Sequence, residues 1–399
     1  MKTLKANTFK TDSFKTSTFN KRVMHVGEMA SGAKLTVPVY SYKAENSSAP
    51  SVYIQANMHG AEVQGNAVIF QLLELLKFCD IQGDITLVPY ANPVACNHKN
   101  GEYTLGRFDP ITGVNWNRMY HFDEAVIMPF AEQNIDASED EIKVYFEQLL
   151  LSQIEQKLEH NIWGLTTGQR IAYQLQQMAH QADLVLDLHT GPISSKHLYC
   201  PEYTKDSANY FDIPHTIFIP NDFDGAMDEA TFCPWWSLQQ AYKSLGRNFV
   251  MGEGIFAKES FTVELGSQEQ IDLAVAKEDA ASILSYLQHK GVIAKKSGKN
   301  FQPQQMTRYG CYLKDYKALY SPMGGMVDYL AEFGKPLPAG EPLARILRMD
   351  NYVGESSSNG EPLHNISLDR QIIPILHFAS ASVNQGTELY KVFCNYFEL

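Results

Sequence analysis

Residues 51–78 read SVYIQANMHGAEVQGNAVIFQLLELLKF, and the pattern changes midway. The first seven form a short apolar run of the kind that makes a buried strand. From Glu62 onward apolar residues recur at helical spacing. Met58-His59-Gly60 separates the two, so strand, tight turn, helix is the expected order. A second strand is expected at 84–90 (DITLVPY), ending at Asn92-Pro93. Two more are expected at 183–188 (DLVLDL) and 260–265 (SFTVEL). Strands alternating with helices predict an α/β sheet with helices on its faces.

Working outward, residues 139–160 and 167–180 carry helical periodicity, so a helical insertion is expected at about 120–180. Residues 295–305 are polar and basic, a linker by composition. Beyond them, stretches such as SPMGGMVDYLAEFGKPLPAGEPLARIL alternate short apolar runs with Gly and Pro, which predicts a small all-β domain over 300–399. Residues 1–22 are locally basic, have no apolar block, and read as a loose arm or a first strand rather than a secretory signal.

The bulk properties narrow the function classes. With 399 residues two domains are expected, and a chain of this size buries a full core without disulfides or a structural metal. A bound metal is therefore expected to serve chemistry. The net charge of -12, from 33 basic and 45 acidic residues, argues against a nucleic-acid partner. No run is long and apolar enough for a membrane span. The six cysteines are scattered with no C-x-x-C pair, which suits reduced thiols and a cytoplasmic location. The expected partner is a small-molecule substrate, with no nucleic acid, no membrane, and a homo-oligomer left open.

Two candidate ligand clusters lie at predicted strand ends, where α/β sheets place their ligands. One is His59-Gly60-Ala61-Glu62; the other is Asp187-Leu188-His189. His59 and Glu62, three apart on a tight turn, can face one ion, and His189 is delivered by the apolar strand 183–188. Two nitrogens and one carboxylate leave a fourth position open, the catalytic pattern for zinc. Each signal has a bland counterpart: H-x-x-E arises by chance, and a strand-end histidine is more often a hydrogen-bonded core residue.

HGAE after a strand, then NRMY, DLHTG and TVELG in that order, resemble the succinylglutamate desuccinylase/aspartoacylase family, a relative of zinc carboxypeptidases. The match runs over most of residues 50–270, and the segment after 320 resembles that family's C-terminal domain. The resemblance implies a three-layer α/β/α sandwich around a mixed sheet over residues 1–295, with one Zn2+ held by His59, Glu62 and His189. It implies that Glu264 accepts a proton from the attacking water and returns it to the leaving amine. It also implies that Asn117 and Arg118 grip a substrate carboxylate and that Arg107 polarises the scissile carbonyl. The helical stretch between Arg118 and His189 is longer than the family pattern and is expected to reshape the pocket mouth.

The function implied is zinc-dependent hydrolysis of the amide bond of an N-acyl amino acid or a similar carboxylate-bearing amide. Two other readings stand beside it: a zinc carboxypeptidase acting on peptides, and a non-catalytic metal-binding protein on the same scaffold. A serine hydrolase and a nucleotide enzyme are disfavoured, because G-x-S-x-G, GxGxxG and Walker-type loops are missing from the sequence.

Overall fold

The computed structural model describes residues 18–45, 48–295, 301–352 and 361–399. Most of the basic N-terminal stretch and residues 296–300 of the expected linker lie outside them. The core is a ten-stranded mixed sheet. Its order is Asn20–Glu28, Lys34–Tyr42, Ile85–Val88, Val52–Ala56, Leu184–Gly191, Glu259–Ser267, His197–Pro201, His215–Ile219, Tyr309–Tyr312 and Phe397–Glu398.

The four strands Ile85–Val88, Val52–Ala56, Leu184–Gly191 and Glu259–Ser267 run parallel, so their C-terminal ends meet on one edge. Val52–Ala56 and Leu184–Gly191 are buried along their whole length, which accounts for their continuous apolar runs. Successive residues point to opposite faces. Ile54 and Leu186 pack with Leu72 and Leu76 of helix Gln64–Leu76 and with Ile283 and Leu287 of helix Leu273–His289. Tyr53 and Val185 face the other way, onto Ile171 and Leu175 of helix Thr167–His180 and Met227 and Ala230 of helix Met227–Ser244. This is the three-layer α/β/α sandwich expected.

Local signals set the helix starts on the second face. Ser138 with Glu141, and Thr166 with Gln169, each form a reciprocal capping box that satisfies free backbone N–H groups. Only part of the stretch at 120–180 is an excursion. Thr167–His180 belongs to the helical layer on the sheet, while Glu139–Glu159 packs outside it, with Phe146 edge-on to Trp235.

The C-terminal region forms two four-stranded sheets. One runs Leu363–Ser367, Pro342–Leu347, Gly325–Tyr329, Ser382–Val383. The other runs Tyr316–Tyr320, Glu388–Phe393, Ile373–His377, Ile193–Ser194, so its last strand comes from the chain just past His189. In the opposite sense, Tyr309–Tyr312 and Phe397–Glu398 join the edge of the large sheet. The small β unit is thus stitched to the α/β layers on both sides. All six cysteines are free, and no helix among the described residues is long and apolar enough to cross a membrane.

Gly65 sets how closely helix Gln64–Leu76 approaches the sheet. A Cβ there would lie 2.8 Å from the Ala56 Cβ and 3.0 Å from the Leu188 Cβ. Gly65→Val is expected to destabilise the fold by about 1–3 kcal/mol through overpacking, read as a lowered thermal midpoint. An unchanged midpoint would show that this contact is not tight.

Candidate active site

The chain leaves strand Val52–Ala56 through Asn57, which adopts a left-handed backbone (φ 65°). Asparagine tolerates that region, and its amide donates to the carbonyls of His59 (2.9 Å) and Gly60 (3.2 Å). Gly60 fits because a Cβ there would fall 2.0 Å from the Ala95 carbonyl oxygen. The turn carries His59 and Glu62 over the sheet edge, and strand Leu184–Gly191 brings His189 to the same place.

His59, Glu62 and His189 are all buried, and one ligand atom from each lies within 4.8 Å of the others. Both imidazoles present Nδ1 to Glu62: His59 to Oε1 at 2.9 Å and His189 to Oε2 at 2.7 Å. The outer nitrogens are held separately. His59 Nε2 lies 2.7 Å from Asn115 Oδ1, and His189 Nε2 lies 2.9 Å from Asp187 Oδ2.

Asp187 ends a buried chain in which Tyr53 OH donates to Gln55 Oε1 and Gln55 Nε2 donates to Asp187 Oδ1, each at 2.9 Å. Protons on the two outer nitrogens would leave each Nδ1 a lone pair facing inward, the tautomer a metal ligand needs. Burial raises the cost of ionising Glu62, yet the neighbouring His59 and His189 rings outweigh it and hold its carboxyl well below the usual range. The donor set and its outer partners fit a divalent cation.

Glu264 stands opposite His189 on the next parallel strand. Its Oε2 is shielded from solvent and has no hydrogen-bond partner. Burial, followed by the Glu62 charge, pushes its carboxyl up to about 7. Arg107 comes from the loop after Thr104 and is half-exposed, with Nη1 3.5 Å from Glu62 Oε1. Asn117 and Arg118 sit on a short 3-10 turn. Asn117 Nδ2 lies 3.3 Å from His189 Nε2, and its Oδ1 accepts from the Met227 N–H at 3.3 Å. Arg118 Nη1 donates to the Asn117 carbonyl at 2.7 Å, and its Nε is 3.3 Å from Asp224 Oδ2.

All seven residues line one cavity of about 510 Å³. Tyr316, Tyr320, Glu388 and Lys391 of the C-terminal sheets form another wall. No residue between 119 and 188 lines it, so the long helical stretch does not shape the pocket mouth, contrary to expectation. Its outer helix is spent on packing against Met227–Ser244 instead.

Sequence reading gave no role to Asn115, Asp187 or the β-domain residues. Asp187 was quoted beside His189, and the two-residue spacing that puts both on one strand face was the available signal. Nothing local marks Asn115 or Tyr316.

The model of the succinylglutamate desuccinylase/aspartoacylase catalytic domain matches residues 48–290. The chain belongs to the succinylglutamate desuccinylase/aspartoacylase family. Among solved structures, a family protein from Shewanella frigidimarina NCIMB 400 is 52% identical, covers 96% of this chain and 99% of its own, and superposes with a TM-score of 0.90. Another from Shewanella amazonensis SB2B is 51% identical over 95% of this chain and 100% of its own, with a TM-score of 0.88. The product-bound ectoine utilization protein EutE (DoeB) from Ruegeria pomeroyi shares the fold, at 17% identity, 96% and 97% coverage and a TM-score of 0.61. No curated protein matches the sequence. The family's names describe amide hydrolases, and the site described above lies at the sheet edge within and beside the matched domain.

Asp187→Asn is expected to weaken divalent-metal binding at this site about 10–100-fold, because the amide cannot anchor the His189 ring as the carboxylate does. Competition against a chelator of known affinity measures it; unaltered affinity would remove Asp187 from the support of the site.

Proposed function

We propose that this protein is a zinc-dependent amidohydrolase acting on an N-acyl amino acid or a similar small carboxylate-bearing amide. The observation that carries the reading is the convergence of His59, Glu62 and His189 in the same cavity as a shielded, unpartnered Glu264 carboxylate oxygen. Zinc held by these three residues would supply Lewis-acid activation of water and of the amide carbonyl.

The chain's own groups divide the remaining work. Glu264 accepts the proton of the attacking water and delivers it to the leaving nitrogen, one group serving as base and then acid. Arg107, with its guanidinium directed toward the triad, stabilises the charge that grows on the carbonyl oxygen. Asn117 and Arg118 hold the substrate carboxylate. Arginine suits this because its planar fork meets a carboxylate with two parallel hydrogen bonds. In the structure Arg118 is engaged by Asp224, an exposed carboxylate that a substrate carboxylate can replace.

Tyr316 and Tyr320 bound one side of the cleft, which favours a short amide over a long peptide. A pure binder would have no use for a carboxylate kept without a partner beside the ligand set.

Two substitutions test the roles. Glu264→Gln is expected to retain zinc while kcat falls by about 10²–10⁴-fold; metal analysis with steady-state kinetics checks both, and an active variant refutes the assignment. Arg118→Lys is expected to raise KM about tenfold, equivalent to losing one charge-assisted hydrogen bond of about 1.5 kcal/mol. Unchanged saturation kinetics would dismiss the clamp.

A further inference from the structure

The cavity at the triad meets a second one. Arg107, Tyr199, Glu264, Glu388 and Lys391 line both, so the two chambers join beside the proposed reaction centre. The second chamber is the larger, about 880 Å³, within the range of about 300–1,000 Å³ for cavities that enclose a drug-sized ligand. Asn117 and Arg118 line only the first chamber. A substrate whose carboxylate is held there, with its scissile bond at the triad, has the second chamber open to its other half, the acyl group.

The second chamber is poorly equipped to hold an anion. Its walls include Leu105, Pro192, Leu376, Phe378 and Ala379, with Leu105 and Phe378 apolar yet exposed at its rim. Among the described lining residues the only cations are Arg107 and Lys391, both at the junction. Arg107 faces Glu62, and Lys391 has Glu388 at 4.0 Å. The acid Glu269 is used internally, accepting from the Thr104 N–H and hydroxyl.

His197 is fully buried, and its Nδ1 sits 3.0 Å from the Ser195 carbonyl, which fixes the proton on that nitrogen. Its Nε2 is left as a shielded acceptor without a partner. Burial pushes the ring's pKa down to about 4, so it carries no positive charge at neutral pH. A buried, neutral imidazole of this kind offers a carboxylate no charge to pair with.

We propose that the second chamber is the acyl subsite and that it selects a bulky, uncharged, apolar acyl group, arylacyl or medium-chain alkanoyl, over acetyl or succinyl. This rests on the amidohydrolase reading above and names the substrate class of that site.

The test uses the full chain loaded with zinc. Acetyl, succinyl, octanoyl and phenylacetyl amides of each of a common set of amino acids are compared, in the wild type and in Ala379→Trp. Ala379 is exposed on the chamber wall, so the fold tolerates the larger side chain. The expected result is a kcat/KM at least about tenfold higher for octanoyl or phenylacetyl than for acetyl and succinyl on the same amine, with the ratio falling toward one in the variant. Equal or better turnover of acetyl or succinyl amides by the wild type overturns the proposal, whatever the variant does.

Calorimetric binding of free octanoate, phenylacetate, acetate and succinate separates this failure from that of the hydrolytic reading. With no hydrolysis anywhere, at least about tenfold tighter binding of the bulky acids, lost in Ala379→Trp, supports the chamber's selectivity and places the failure in the hydrolytic reading. Binding without discrimination overturns the chamber assignment as well.

Discussion

Glu62 is almost wholly buried, and an ionised carboxylate withdrawn from water is costly unless opposite charge and hydrogen bonds meet it. Here the Thr190 N–H at 3.2 Å and the edge of the Arg107 guanidinium meet it, and the two imidazole nitrogens beside it would share a bound cation with it. That requirement fixes much else. His59 and Glu62 must leave the sheet through one tight turn, His189 must arrive from the neighbouring strand, and the following helix must lie close enough for both to reach. Asn57, Gly60 and Gly65 meet these needs in turn: a left-handed residue, a close pass by the Ala95 backbone, and a helix-to-strand contact without a Cβ.

The support beneath the ligands extends the same logic. The buried chain of Tyr53, Gln55 and Asp187 lies on one face of adjacent strands because Gln55 and Asp187 are paired in register. A strand's two-residue period then puts His189 on the face of Asp187. The carboxylate lies 2.9 Å from the outer nitrogen of that ring, so the register of two strands determines the placement of a side chain that neither specifies alone. Polar groups buried this deeply are tolerated because each meets the next, and the chain ends on the residue that needs orienting.

What could be read from the sequence follows the range of the signals. Apolar runs and helical spacing are local, so the strands carrying His59, His189 and Glu264 and the helices at 139–160 and 167–180 were legible, as was the convergence of His59, Glu62 and His189. The motif order supplied roles for Glu264, Arg107, Asn117 and Arg118, and all of them do reach one cavity. Contacts set by long-range register were not legible. Asn115 is 56 residues from the histidine it supports, and Tyr316 is held at the site by the pairing of the C-terminal sheet to Ile193–Ser194 and by the apolar cluster beneath it. The misjudged helical stretch belongs here too: its length was visible, but that its outer helix packs against Met227–Ser244 was not.

The pairing of Ile193–Ser194 with Ile373–His377 ties the small β unit to the strand that carries His189. A second set of contacts, Ile217, Cys311, Ile373 and Phe393 in one apolar cluster, spans the same junction. A wall fixed at both a backbone ladder and a packed core cannot swing aside without breaking sheet hydrogen bonds and exposing apolar surface, which makes it a permanent boundary of the cleft. The two chambers therefore derive from one architectural fact. The β unit approaches the sheet edge closely enough for Glu388 and Lys391 to stand at the junction of both, leaving space on either side of Glu264. On the proposed reading, selection for the two halves of a substrate is set separately, by the Arg118 side and by the chamber beyond Glu264, with the chemistry held between them at His59, Glu62 and His189.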